Sequence, residues 1–313
     1  MSGQALGPPR PPRSPVAWRD AVAQAAAVAL VAAFLALMVV TTATNLQLRA
    51  IPTGFEFLGD RAGFKIADTV IGFSPDDSYL RAIVVGVANT LFLSVLVCIA
   101  ATLVGALLGV ARLSSNPLAA ALAAVWTEAV RNTPPVLLLI FLYALWSQTM
   151  PVDGPRELLP GVVASVRGIA APRLGARLTP EFATAFFGLT VYTAGFIAEI
   201  VRSGIQAVAR GQWEAGRALG LNERQILRLV IAPQTLRLIT PPMASQYINT
   251  VKNSTLAIAV GHSEFMTVMG TVINRTNQPL EGTLVVVLVY LGINLILAAS
   301  LELLNRRVHS KRG

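Results

Sequence analysis

The chain has 313 residues, of which 54% are hydrophobic and only 13% charged. Soluble domains carry about 25% charged residues, so the composition excludes an ordinary soluble protein before any motif is read. The net charge of +9 comes from 22 arginines and three lysines, and a membrane topology with its basic loops on the cytoplasmic side accounts for it without a nucleic-acid partner. A lone cysteine, Cys98, excludes an intrachain disulfide, and His262 and His309 show no metal-ligand spacing, so no metal site is expected.

In chain order, residues 1–20 are rich in proline and arginine and predict a disordered cytoplasmic tail. Residues 21–43 are apolar for longer than the ~20 residues a bilayer requires and predict a retained first span rather than a cleaved signal. Residues 44–81 mix both charge signs with glycines and predict a polar insert outside the membrane. Ala82–Ala111 is uncharged for 30 residues and predicts span two, with Arg112 at its end. Within it Ala101, Gly105 and Gly109 repeat at four-residue spacing, which suits either close helix approach or simple lipid-facing filler.

A third span is expected over about Leu118–Ser147, kinked at Pro134–Pro135 and carrying Glu128 and Arg131 at i, i+3. Charges inside a span are expensive. They read here either as part of a path or gate or as a structural ion pair. Residues 149–180, punctuated by five prolines, predict a second outside loop. Span four, from about Glu181 to Gly204, holds Glu199 and Arg202, again at i, i+3.

Trp213–Gln234 is the one long polar helical segment between strongly apolar ones. Gly220 interrupts it and Pro233 closes it, predicting two short helices around a glycine turn that project into water. Span five is expected over about Pro233–Ala259, broken at Pro241–Pro242. Gln246, Asn249 and Asn253 share one helical face there, with Lys252 beside them, and suit a substrate path or interhelical hydrogen bonds. Residues 260–281 predict a third outside loop and Gly282–Leu301 a sixth span. Arg306, Arg307, Lys311 and Arg312 beyond it predict a cytoplasmic tail over 306–313. An even number of spans puts both termini on the same side.

The polar segment resembles the EAA loop of bacterial ABC-importer permeases: Glu-Ala-Ala, three residues, Gly, nine residues, Ile, one residue, Leu-Pro. Glu214, Ala215, Gly220 and Pro233 match, whereas Gly216, Val230 and Ala232 replace Ala, Ile and Leu. Upstream, Glu199, Arg202, Gly204, Gly211 and Gln212 resemble the polar amino-acid permease pattern. Glu128, Arg131, Thr133 and Pro134 resemble the family's Glu-x-x-Arg-Gly-Thr-Pro, with Asn132 in place of glycine. KNSTLAIAVG is similar to its Lys-x-Thr/Ser-Ser-Leu stretch. The insert resembles that of the general L-amino-acid permeases.

The resemblance covers about residues 84–305 and implies an all-α integral membrane protein with the type I ABC importer transmembrane fold. That fold has about six spanning helices and a cytoplasmic coupling helix, and the permease domain would fill 82–305. It implies a multi-pass subunit of the bacterial inner membrane that imports L-amino acids by alternating access. The implied partners are ABC ATPase subunits, a periplasmic amino-acid-binding protein and a second, paralogous permease subunit. Glu214, Ala215, Gly216, Leu219 and Gly220 would couple to the ATPase. Glu128, Arg131, Thr133, Pro134, Glu199, Arg202, Gln246, Asn249, Lys252 and Asn253 would line the path or gate. No lysine follows a glycine, so a phosphate-binding Gly-Lys-Ser/Thr is absent. No directly bound cofactor is therefore expected, and ATP and Mg would sit on the partner. Two other classes remain open from the residues alone: an intramembrane enzyme, which no nucleophile–base pair accompanies, and an ion-coupled carrier or channel using the same charges.

Overall fold

The computed structural model describes residues 16–310 except Asp153. The tail expected over residues 1–20 falls largely outside the described residues, and the side chains of the basic cluster at 306–313 fall outside them altogether. The chain forms two units, divided between Thr53 and Gly54. In the first, α1 (Val16–Leu48) is a single uncharged helix from Ala21 onward, longer at both ends than the apolar run that predicts it.

The second unit is built on α2 (Tyr79–Ala111) and α5 (Pro180–Gln206). Each has a side-chain N-cap: Ser78 accepts from Arg81 N, and Thr179 accepts from Phe182 N. The two helices run parallel in close contact. A Cβ on Gly105 would fall 2.7 Å from Ile197, and one on Gly109 would fall 2.6 Å from the Ala198 carbonyl. The glycine repeat therefore serves backbone approach. Around this seam Ala101, Ala194, Ile197, Val201, Ile239 and Met243 form a buried core.

Span three is not one kinked helix. α3 (Pro117–Arg131) and α4 (Pro135–Thr149) meet at 103°. The corner is chemical: Asn132 donates its amide to the Glu128 carbonyl, and Thr133 Oγ1 does the same to Ala129 O. Pro134 and Pro135 then supply no N–H to continue the ladder. α3 packs on α5 and α2 while turning Leu118, Leu122 and Val125 outward.

Span five runs through its prolines. After α6 (Arg210–Ala218), a turn of helix at α7 (Glu223–Gln225) passes into a π-helical stretch, Ile226–Ile231, and then into α8 (Ala232–Asn253). Pro233 lies in the first turn of α8, where its missing N–H is harmless, and so does not close the segment. Pro241 and Pro242 lie inside α8 without ending it; they leave the carbonyls of Arg237 and Leu238 without their usual donors. A 3₁₀ stretch, Ser254–Val260, extends the run.

Two expected loops are structured. Residues 156–178 form a four-stranded antiparallel meander: β1 (Arg156–Leu159), β2 (Val162–Ser165), β3 (Gly168–Ala171) and β4 (Ala176–Leu178). Val163 faces Ala170, and Ile169 faces Leu178. Residues 265–276 are a helix, α9, capped by the Glu264 side chain, and its run from α8 bends by 56°. It buries Phe265, Val268, Met269 and Val272. The polar insert folds against it. Phe57, Ala62, Tyr79 and Ala82 share a core with Val268 and Val272, and Arg275 stacks over Phe64 at 5.5 Å. Gly54 N donates to Glu281 of α10 (Pro279–Ser310).

Among the described residues four helices are long and apolar enough to cross a membrane, and six crossings result if each bent pair counts as one. Because α2 and α5 are parallel, the insert and the sheet share one end of the unit. Arg112 and α6 share the other.

Candidate functional site

α6 leaves the bundle after the short link 207–209 that follows α5, and it is anchored by a small core of its own. Val208, Ile226 and Ile231 are buried there, with Trp213, Leu221 and Val230 packed around them. The helix stops in a glycine cap. Leu221 N reaches back to Gly216 O (3.2 Å) and Gly220 N to Arg217 O (2.9 Å), with Gly220 at φ +76°. This is the Schellman arrangement, and any residue with a Cβ would be strained at that position. Asn222 and Gln225 then cap α7 reciprocally, each side chain accepting from the other's backbone N–H at 3.0 and 2.9 Å. Arg217 Nε donates to Glu223 Oε1 (2.9 Å) across the turn, and that carboxylate raises the guanidinium pKa above its ordinary value.

Gly216 departs from the Glu-Ala-Ala pattern for a packing reason. It is buried, and a Cβ there would meet Ile226 Cγ1 at 2.8 Å. The fully buried Ile226 occupies the room an alanine methyl would take. Gly216→Ala should therefore gain helix propensity of about 1 kcal/mol and lose about 2 kcal/mol to overpacking. Proteolysis near the Gly220 turn should accelerate about fivefold, a factor that corresponds to about 1 kcal/mol of local opening. Adding Ile226→Ala should cost less than the two single changes together; strict additivity would refute the contact. The rest of α6 faces out. Glu214 is exposed, and Ala215, Ala218 and Leu219 share an exposed face at i, i+3, i+4, with Leu219 79% exposed.

The ionic residues converge beside the base of α6. Glu199 Oε2 accepts from Arg112 Nη1 at 3.0 Å and from Arg202 Nε at 2.9 Å, with Arg202 Nη2 on the other oxygen. Arg112 also reaches Glu128 (3.4 Å), and Arg131 lies 3.7 Å from Glu128 and 4.0 Å from Glu199. Arg131 additionally stands over the Phe196 ring at 5.5 Å. Arg202 extends the chain to Gln206 at the end of α5. Glu128–Arg131 and Glu199–Arg202 are thus one network of three guanidiniums and two carboxylates. Arg112, readable only as the end of a span, proves to be its bridge.

The other sequence-predicted residues lie apart from that network. Thr133 and Pro134 form the α3–α4 corner. The polar stripe of α8 is divided: Gln246 is buried, Asn253 half-buried, and Asn249 and Lys252 exposed. Residues 101–310 match the family model for the binding-protein-dependent transport system inner membrane component. The general L-amino acid transport system permease protein AapQ of Rhizobium johnstonii is 33% identical, over 85% of this chain and 86% of the relative. The putative amino-acid ABC transporter permease protein YhdX of Escherichia coli K12 is 34% identical, over 85% and 88%. A crystal structure of an amino acid ABC transporter with histidines superposes with a TM-score of 0.60 at 24% identity, covering 73% of this chain and 95% of that one, which establishes the type I importer fold. The chain belongs to the family of binding-protein-dependent transport system inner membrane components, the multi-pass permease subunits of ABC importers.

Proposed function

We propose that this chain is the L-amino-acid-conducting permease subunit of an importer whose energy comes from a separate ATPase seated on α6. The observation that carries this reading is the form of α6. It is a short helix standing off the bundle, locked by a glycine cap, with a small-residue face and an exposed Leu219. An exposed apolar side chain on a rigid stub is what a docking groove requires. The substrate class follows the names of the two relatives. ATP and Mg belong to the partner, and a periplasmic binding protein delivers the amino acid to the end that carries the insert and sheet.

α6 then lies in the cytoplasm, as do both chain termini. The charge network is a clasp at the cytoplasmic mouth, joining α2, α3 and α5 directly above the helix the ATPase moves. Nucleotide binding shifts the population of two rigid-body states through α6, and the clasp holds one of them. Asn249 and Lys252 are exposed on a spanning helix, where a charge in lipid is costly; a second, paralogous permease subunit covers them and completes the path.

Glu214→Lys reverses a charge on the docking face, and Gly220→Asp strains the cap. Both variants should insert as wild type, fail to retain the ATPase on purification and lose uptake to background. Normal uptake in either would defeat the assignment of α6.

A further inference from the structure

At the end of the bundle opposite α6, the insert, β4 and the start of α5 border an open cavity of about 830 Å³, within the 300–1,000 Å³ range usual for small-molecule sites. Its walls carry both charge signs. Asp68 is held in place by two hydrogen bonds. Thr179 Oγ1 donates to its Oδ2 at 2.5 Å, and Asn89 Nδ2 donates to its carbonyl at 2.6 Å. Val70 N, two residues on, donates to Asn89 Oδ1. Arg177 presents a guanidinium whose hydrogen-bond partner is a backbone carbonyl, that of Arg167 at 3.3 Å. Phe92, Val70 and Leu178 supply an apolar wall.

The unusual member is His262. It is 1% exposed and packs edge-on against Phe182, yet neither ring nitrogen has a hydrogen-bond partner. Its Nδ1 stands 3.6 Å from Asp68 Oδ2, beyond hydrogen-bonding distance. A buried imidazole without a hydrogen bond is costly, and the Asp68 carboxylate is the charged group that faces it.

We propose that this cavity is a binding site for a free α-amino acid on the extracytoplasmic side. The ammonium group pairs with Asp68, the carboxylate with the Arg177 fork, and the side chain lies on Phe92 and Val70. The site rests on the reading of the chain as an amino-acid permease, and it lies apart from the charge network at the other end. It also gives the insert and the meander a role, because they are the walls that make the cavity.

The test uses the purified full-length chain carrying Cys98→Ser and Ala176→Cys, since Ala176 is exposed on β4 at the cavity rim. Alkylation of the introduced thiol by a maleimide is timed with and without each of the common L-amino acids. At least one should slow labelling about tenfold at saturation. Asp68→Asn, which keeps an acceptor for Thr179, and Arg177→Gln should each abolish that protection, read as the ratio of labelling rates with and without the amino acid in the same variant. Protection by none of the amino acids, or protection that survives both substitutions, would overturn the site. Uptake by the assembled complex separates the two readings: transport without protection removes the site and leaves the permease assignment standing, whereas absence of amino-acid transport removes the assignment itself.

Discussion

Glu199→Gln should abolish uptake and lower the chain's stability by about 1–2 kcal/mol, between the scales for exposed and for buried ion pairs. Glu199 is the acceptor on which Arg112 and Arg202 converge, with Arg131 4.0 Å away. Two unit charges at about 4 Å attract by about 4 kcal/mol at an effective dielectric of 20. Partial exposure of the network reduces that, so the net effect is smaller than the sum of its pairs. Glutamine keeps the shape and loses the charge, leaving three guanidiniums facing one carboxylate. Heat-induced loss of the detergent-solubilised chain, measured beside uptake, checks the result. Arg112→Gln in the same chain should recover part of the stability by restoring the charge balance. A Glu199→Gln chain as stable as wild type would show that the network contributes nothing to the fold.

Gly105→Leu should be more damaging still, removing most of the chain from the membrane. A Cβ alone at this position lies 2.7 Å from Ile197 and 2.8 Å from the Ala194 carbonyl, a backbone atom that cannot turn aside. Overpacking typically costs about 1–3 kcal/mol, and the leucine adds three more carbons to a seam already closed by backbone. Gly105→Ala should be intermediate, and Ile197→Ala should partly rescue the alanine variant. Gly292, with nothing within 4 Å of its Cβ position, is the control: Gly292→Leu adds the same volume to α10 and should be tolerated. Chain abundance in isolated membranes separates these outcomes. Equal abundance of the two leucine variants would mean that the α2–α5 approach is not required.

The spans were legible because hydrocarbon imposes about 20 apolar residues on each crossing, and α2, α5 and α10 overlie the apolar runs that predict them. The glycine turn in the polar segment was legible for the same kind of reason, since Gly220 must take a positive φ. Legibility failed where backbone partners decide. The meander has strands of only three or four residues, too short for alternation to register, although Pro160–Gly161 between Leu158-Leu159 and Val162-Val163 is a readable hairpin signal. α9 carries a plain helical spacing at Phe265, Val268, Met269 and Val272; its polar neighbours conceal it from a hydropathy reading. The charges of the network were visible as two i, i+3 pairs. Their union was not, because it depends on the corner at Asn132–Pro135, which swings Glu128 and Arg131 toward α5. Gly216 made sense only beside Ile226, ten residues away and across a turn.

The corner between α3 and α4 also acts on the lipid. α4 has 15 residues, which at a rise of about 1.5 Å each gives a helix of about 22 Å, against a hydrocarbon layer of about 30 Å. Upright and alone it falls short by roughly a quarter of the bilayer. With α4 upright, α3 would lie nearly at right angles to it, and its outward row of Leu118, Leu122 and Val125 would supply the missing apolar surface. In that orientation the membrane would meet a wedge here, and lipid acyl chains would splay or shorten to cover it.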